Sequence, residues 1–104
     1  MTGTIYINTD HEFDLSQGEL ARVAERLRAH TAEADTRVMR ELFWPMDEGG
    51  MQLLLVDELD TDEFAVFSAV VHRSHEQARL ADTGSLPLWE KLLAAVHADA
   101  RYRY

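Results

Sequence analysis

Cysteine is absent from the 104 residues, which excludes a disulfide scaffold, a Cys-ligated zinc module and a thiol nucleophile. Basic residues are scarce: 10 Lys plus Arg stand against 19 Asp plus Glu, for a formal net charge of -9. A chain of that sign lacks the cationic field that neutralises phosphates, so nucleic acid is not expected as a partner. Long apolar runs are missing as well. The longest, Met51 and Leu53 to Val56, is broken by Gln52 and falls far short of the roughly 20 residues that span a bilayer. No membrane partner is expected. The segment from Met1 to Asn8 carries no positive charge ahead of an apolar stretch, so it does not read as a secretory signal and the expected location is cytoplasmic. There is no Gly-x-Ser-x-Gly elbow, and Gly49-Gly50 is the only glycine pair, so nucleotide-phosphate fingerprints are missing too. No cofactor is expected, and no internal repeat is visible.

What remains is a hydrophobic fraction of 46 %, enough for one core. A length near 100 residues supports a single globular acidic domain over residues 1–104. Nine of the ten basic residues are arginine and 13 residues are alanine, a bias typical of a GC-rich, bacterial coding source.

The negative charge is concentrated. Between Arg40 and Arg73 there is no Lys or Arg, while the interval holds Glu41, Asp47, Glu48, Asp57, Glu58, Asp60, Asp62 and Glu63. Those 8 acids leave 11 acids and 10 bases for the rest of the chain. Two readings stand side by side. Carboxylates collect in turns and at helix starts for local reasons, and they also make a docking face for a basic partner.

Thr4-Ile-Tyr-Ile7 reads as a first strand, and the polar stretch Asp10 to Asp14 as a loop. Ser16 with Glu19 forms a capping box, and Leu15 with Leu20 a hydrophobic staple. Leu20, Val23, Ala24 and Leu27 follow as one helical stripe. This helix is expected to end between Ala32 and Asp35. From Thr36 to Asp60 the pattern is ambiguous. Val38, Met39, Leu42, Phe43 and Met46 fit a helical stripe, whereas Trp44-Pro45 disfavours αR at Trp44 and Asp47-Glu-Gly-Gly50 is a turn signal. The reading adopted is a β-hairpin of Arg37 to Trp44 and Met51 to Glu58, with Leu53 to Val56 as a central strand covered on both faces. Asp60 with Glu63, and Leu59 with Phe64, repeat the box and staple for a second long helix. Pro87 then opens a third, with Trp89, Leu92, Leu93 and Val96 buried. The tail Ala100 to Tyr104 alternates and reads as a short strand or a frayed end. The expected class is therefore α+β: a three- or four-stranded, mostly antiparallel sheet with helices on one face, in the order β-α-β-β-α-α with an optional C-terminal strand.

Five histidines are the first candidates for chemistry. His72 and His75, with Glu76, lie at i, i+3 and i+4 on a predicted helix, a spacing unlike the His-Glu-x-x-His metalloprotease helix. A solvated surface with a His72 to Glu76 pair is the simpler reading, and no metal is expected there. Asp10-His11-Glu12 reads as a polar loop. Asp57 to Glu63 lacks the glycine and the terminal acid of an EF-hand loop. No catalytic residue emerges. Aromatic residues beside charge are what protein-binding hot spots are built from, and Trp44 precedes the acidic turn.

Three functions of different classes are compatible with these features. The first is an acidic protein-binding module, such as an immunity or antitoxin-type inhibitor that covers the cationic site of a basic toxin or enzyme. Its expected contact residues are Trp44, Asp47, Glu48, Asp57, Glu58, Asp60 and Asp62. The second is an accessory or structural domain whose acidity only confers solubility. The third is a small α+β enzyme or ligand-binding domain, in which a homodimer would complete a pocket. The first is preferred, with a basic protein as partner.

Overall fold

A computed structural model describes residues 2–102. Strand β1 (Thr2–Asn8) turns directly into β2 (His11–Ser16), which runs into helix α1 (Gln17–Ala29); helix α2 (Thr36–Asp47), strand β3 (Leu53–Leu55) and helices α3 (Thr61–Ala81) and α4 (Leu86–Ala98) follow. Short 3-10 turns at Glu33–Asp35, Val56–Glu58 and Thr83–Ser85 join them. The class is α+β with a three-stranded sheet in the order β2-β1-β3. Six positions pair antiparallel between β1 and β2, and three pair parallel between β1 and β3.

The order of elements differs from β-α-β-β-α-α in two places. The stretch read as a polar loop is β2. Its Phe13 and Leu15 pair with Ile5 and Gly3, and its Glu12 and Asp14 are exposed. Charge on the outward positions of an edge strand discourages further pairing, and it also hides the period-two alternation. The turn is tied by Asn8, whose side-chain oxygen accepts from the Asp10 amide at 2.9 Å.

The second correction is larger: Arg37 to Trp44 is not a strand but most of α2. Val38, Met39, Leu42 and Phe43 are all buried on one face of this helix. Pro45 is tolerated because it falls in the last turn, where the missing N–H would have bonded the carbonyl of exposed Glu41. The Gly49-Gly50 signal marks the helix stop instead of a hairpin. Gly50 adopts φ +63, and the chain doubles back so that the Met51 amide donates to the Pro45 carbonyl at 2.9 Å. Glycine in the left-handed region serves hairpins and helix ends alike.

Since α2 replaces a strand, β3 is an edge strand beside central β1. Leu54 is buried and Leu53 and Leu55 are half-buried; β3 is not covered on both faces.

The capping boxes stand as read. The Ser16 hydroxyl accepts from the Glu19 amide and the Asp60 carboxylate from the Glu63 amide, each with the reciprocal bond. The staple pairs Leu15 with Leu20 and Leu59 with Phe64 are buried. Helix α1 ends at Ala29, a turn earlier than expected. The core forms where the Ile5 and Ile7 face of β1, with Leu54, meets Leu20 and Leu27 of α1, Met39 and Phe43 of α2, Phe64 and Phe67 of α3, and Trp89 and Leu92 of α4. Helix α1 lies so close to β1 that a Cβ at Gly3 would collide with the buried Leu20 side chain.

The tail does not form a strand over its described part. Residues 99–102 make a turn in which the Tyr102 amide donates to the Asp99 carbonyl at 3.0 Å. Arg103 and Tyr104, the end of the optional strand, lie outside the described residues.

Candidate functional site

Part of the acidic interval folds into one neighbourhood. Glu41, Leu42 and Pro45 of α2, Leu55 of β3, and Glu58, Leu59 and Glu63 around the start of α3 line a shallow groove of about 140 Å³. Three glutamates thus share the lining with three leucines and a proline. The local reason is a shared junction: α2 packs beside β3, and the 3-10 turn 56–58 carries the chain from β3 to the capped start of α3.

Of the seven residues expected to touch a partner, Glu58 lines this groove. Asp57, Asp60 and Asp62 are exposed beside it in sequence, although the Asp60 carboxylate is engaged in capping α3. Trp44 is 59 % exposed and stands one helical turn from Glu41, next to Pro45, so an aromatic surface adjoins the carboxylates. Glu48 is exposed at the end of α2. Asp47 is committed within the molecule: both its oxygens accept from Arg28, at 2.7 and 3.1 Å. That hydrogen-bonded guanidinium holds the Asp47 carboxyl below its ordinary range, and Arg28 also lies over the Phe43 ring at 4.1 Å. Asp47 therefore offers a partner less than its charge suggests.

Sequence reasoning missed four contributors. Glu41 was placed in the first strand of the expected hairpin and Glu63 in a capping box, and both line the same groove as Glu58. Met51 is 51 % exposed and sits by Pro45 through its backbone bond. The fourth, Arg101, acts from beneath. Its guanidinium donates to the carbonyls of Val56 (2.9 Å), Leu59 (2.7 Å) and Ile7 (3.0 Å) and pairs with both Asp99 oxygens. It also stacks on Phe64 at 4.2 Å. The turn bearing Asp57 and Glu58 is thereby clamped to β1 and to the chain end. The local signal for this is the arginine pair of Arg101-Tyr-Arg-Tyr104, but the Arg101 targets are backbone carbonyls far away in sequence.

A larger groove of about 620 Å³ runs between α1 and the start of α4, over Val23, Leu88 and Trp89. It is crossed by the Arg26 to Asp82 ion pair at 2.7 Å, and His30 is on its wall. Glu76 does not pair with His72 as expected: it binds Arg79. His72 instead meets His97 of α4. Among the described residues no three His, Asp or Glu side chains converge as a metal site, and no helix is long and apolar enough to cross a membrane.

No protein-family model matches the chain. It is 26 % identical to the Immunity protein CdiI of Burkholderia pseudomallei over 105 aligned residues, covering 97 % of this chain and 94 % of the relative. Its fold is similar, with a TM-score of 0.83 and 25 % identity over 95 % of this chain and 97 % of the other, to a chain in the solved complex of the CdiA-CT toxin from B. pseudomallei E479 with its cognate CdiI immunity protein.

Proposed function

We propose that this chain is an immunity-type inhibitor: a protein-binding module that neutralises a toxin domain of the CdiA-CT kind in the cytoplasm. The observation that carries the reading is similarity over nearly the whole length of both chains, in sequence and in fold, to an immunity protein and to a solved toxin–immunity complex. An inhibitor of this type works by occupancy and needs no catalytic group of its own, in keeping with a relative that is named for immunity.

We place the toxin on the acidic groove. Carboxylates Glu41, Glu58 and Glu63, with Asp57, Asp60 and Asp62 around them, attract a basic surface and accelerate encounter. Trp44 and Met51 supply exposed apolar anchors of the sort that dominate binding energy once water is excluded around them. The partner is thus a basic protein face whose Arg or Lys side chains enter the groove.

The function is tested by co-expressing the chain with CdiA-CT-type toxin domains from its own source genome. Restored growth, with a one-to-one complex by size-exclusion chromatography, is the expected result. Continued killing with the chain present and folded would sink the inhibitor reading. The location is tested separately: Trp44→Ala is expected to raise the dissociation rate at least tenfold, a hot-spot loss of about 1.4 kcal/mol or more. An unchanged rate would move the anchor elsewhere while leaving the inhibitor in place.

A further inference from the structure

Away from the acidic groove, one pair of side chains is placed for chemistry that protein binding does not use. His72, midway along α3, and His97, in the last turn of α4, point their Nε2 atoms at each other across the helix pair, 2.8 Å apart. The rings are tilted by 36° with centroids 5.0 Å apart. Tyr102 packs against both, its ring 4.6 Å from His97 and 5.9 Å from His72. Glu76, the acid nearest in sequence on α3, is held by Arg79.

A contact of this length between two neutral imidazoles requires one Nε2 to carry hydrogen and the other to present a lone pair. Which of the two rings carries that hydrogen depends on their tautomers, and a neutral imidazole of either tautomer presents one lone pair that a metal can take.

We propose that His72 and His97 form a two-histidine site for a divalent transition metal of the zinc and nickel class, joining α3 to α4. Imidazole suits these ions. Nitrogen–metal bonds of about 2.0–2.1 Å at a tetrahedral angle set the two nitrogens roughly 3.3 Å apart. The two Nε2 atoms need to separate by about half an ångström from their present 2.8 Å, with each ring turning so that both lone pairs meet at the ion. The metal takes the place of the shared proton at Nε2, and the ring that held it takes up a proton at Nδ1 from solvent, so both ligands remain neutral imidazoles. Water completes the coordination shell, so binding belongs in the micromolar range and not among four-ligand structural zinc sites. The His72, His75 and Glu76 set weighed from sequence shared one helix; the observed pair draws its ligands from two, so the ion acts as a cross-link. Nine residues, about 13 Å of helix, separate His72 from Glu63 of the acidic groove. The site stands independently of the toxin reading.

The test is calorimetric titration of ZnCl2, and separately NiCl2, into the full chain in a non-chelating buffer, with thermal melts and imidazole NMR alongside. The expected result is one ion per chain, a melting temperature raised by several degrees under excess metal and restored by EDTA, and shifts at both His72 and His97. H72Q and H97Q should each weaken binding at least tenfold, while H75Q leaves it unchanged. Affinity should fall as the solution is acidified, because protons compete for the same lone pairs. His97 is exposed near the end of α4, so H97Q is the variant that retains the fold, as a wild-type circular dichroism spectrum would show. Absence of binding at about 1 mM metal, or wild-type affinity in folded H97Q, overturns the proposal.

Discussion

Asp99 and Arg101, two positions apart near the chain end, hold β1, the 56–59 turn and the end of α4 in one polar knot. Asp99 is buried, 7 % exposed, and its oxygens accept from Arg101 at 2.8 and 2.9 Å and from the Asn8 amide at 2.8 Å. Removing one partner of such a pair strands the other charge among carbonyls and ring faces. Asp99→Ala is expected to cost about 3–5 kcal/mol in urea unfolding. The Arg101 guanidinium first, then the Asn8 amide, hold the Asp99 carboxyl well below the usual carboxylate range. A carboxyl depressed in the folded state contributes its full stability above its unfolded value of about 3.9 and loses it as pH falls toward the folded one. The stability gap between the parent and Asp99→Asn should therefore be widest at neutral pH and narrow steadily below about pH 4. A gap independent of pH would show that the ion pair does not stabilise this tail. None of this is legible locally: Arg101-Tyr-Arg-Tyr104 announces charge, but the carbonyls of Ile7, Val56 and Leu59 that receive it come from other elements.

Helix starts were legible at the scale of single elements because a capping box closes over four residues. Ser16 with Glu19 and Asp60 with Glu63 satisfy amides that any helix exposes at its start, whatever packs against it. Asp60→Ala is expected to cost about 1 kcal/mol by thermal or denaturant unfolding. At the end of α2, Gly50 occupies the left-handed region, and Gly50→Ala should cost about 1 kcal/mol as well. A neutral result there would mean the turn relaxes to another conformation. The stretch before it was misread because local signals conflict. Trp44-Pro45 argues against helix and Val38 to Met46 argues for it, and the burial of four residues of one face against the core decides for helix. Strand β2 was lost for the opposite reason, its outward Glu12 and Asp14 imitating a loop.

For the whole molecule, the position of the charge makes a sharper prediction than its sum. Association with the toxin should slow steeply as salt rises through the range where the screening length falls from about 10 to about 3 Å. Reversing Asp57, Glu58, Asp60 and Asp62 to Lys should slow association at least tenfold in stopped-flow mixing, with folding checked because Asp60 is a cap. Reversing the exposed Glu12 and Asp14 of β2, compared with reversing Asp57 and Glu58 alone, changes net charge by the same amount. If both pairs slow association equally, the partner responds to total charge and the acidic groove is not its docking site.

The amino-acid order alone determined the class, two capped helix starts, the buried stripes of α1 and α4, and the interval that holds the excess of carboxylates. All of these depend on neighbours within a turn or two of helix, or on composition. Tertiary structure decided the rest: that α2 is a helix, that β3 lies parallel to β1 at an edge, and that Glu41 and Glu63 join Glu58 around one groove. It also decided that Asp47 is paired to Arg28, that Arg101 clamps the acidic turn, and that His72 meets His97 instead of Glu76. Each is a meeting of residues distant in sequence, settled by which apolar faces are buried together and which polar groups need partners once they are.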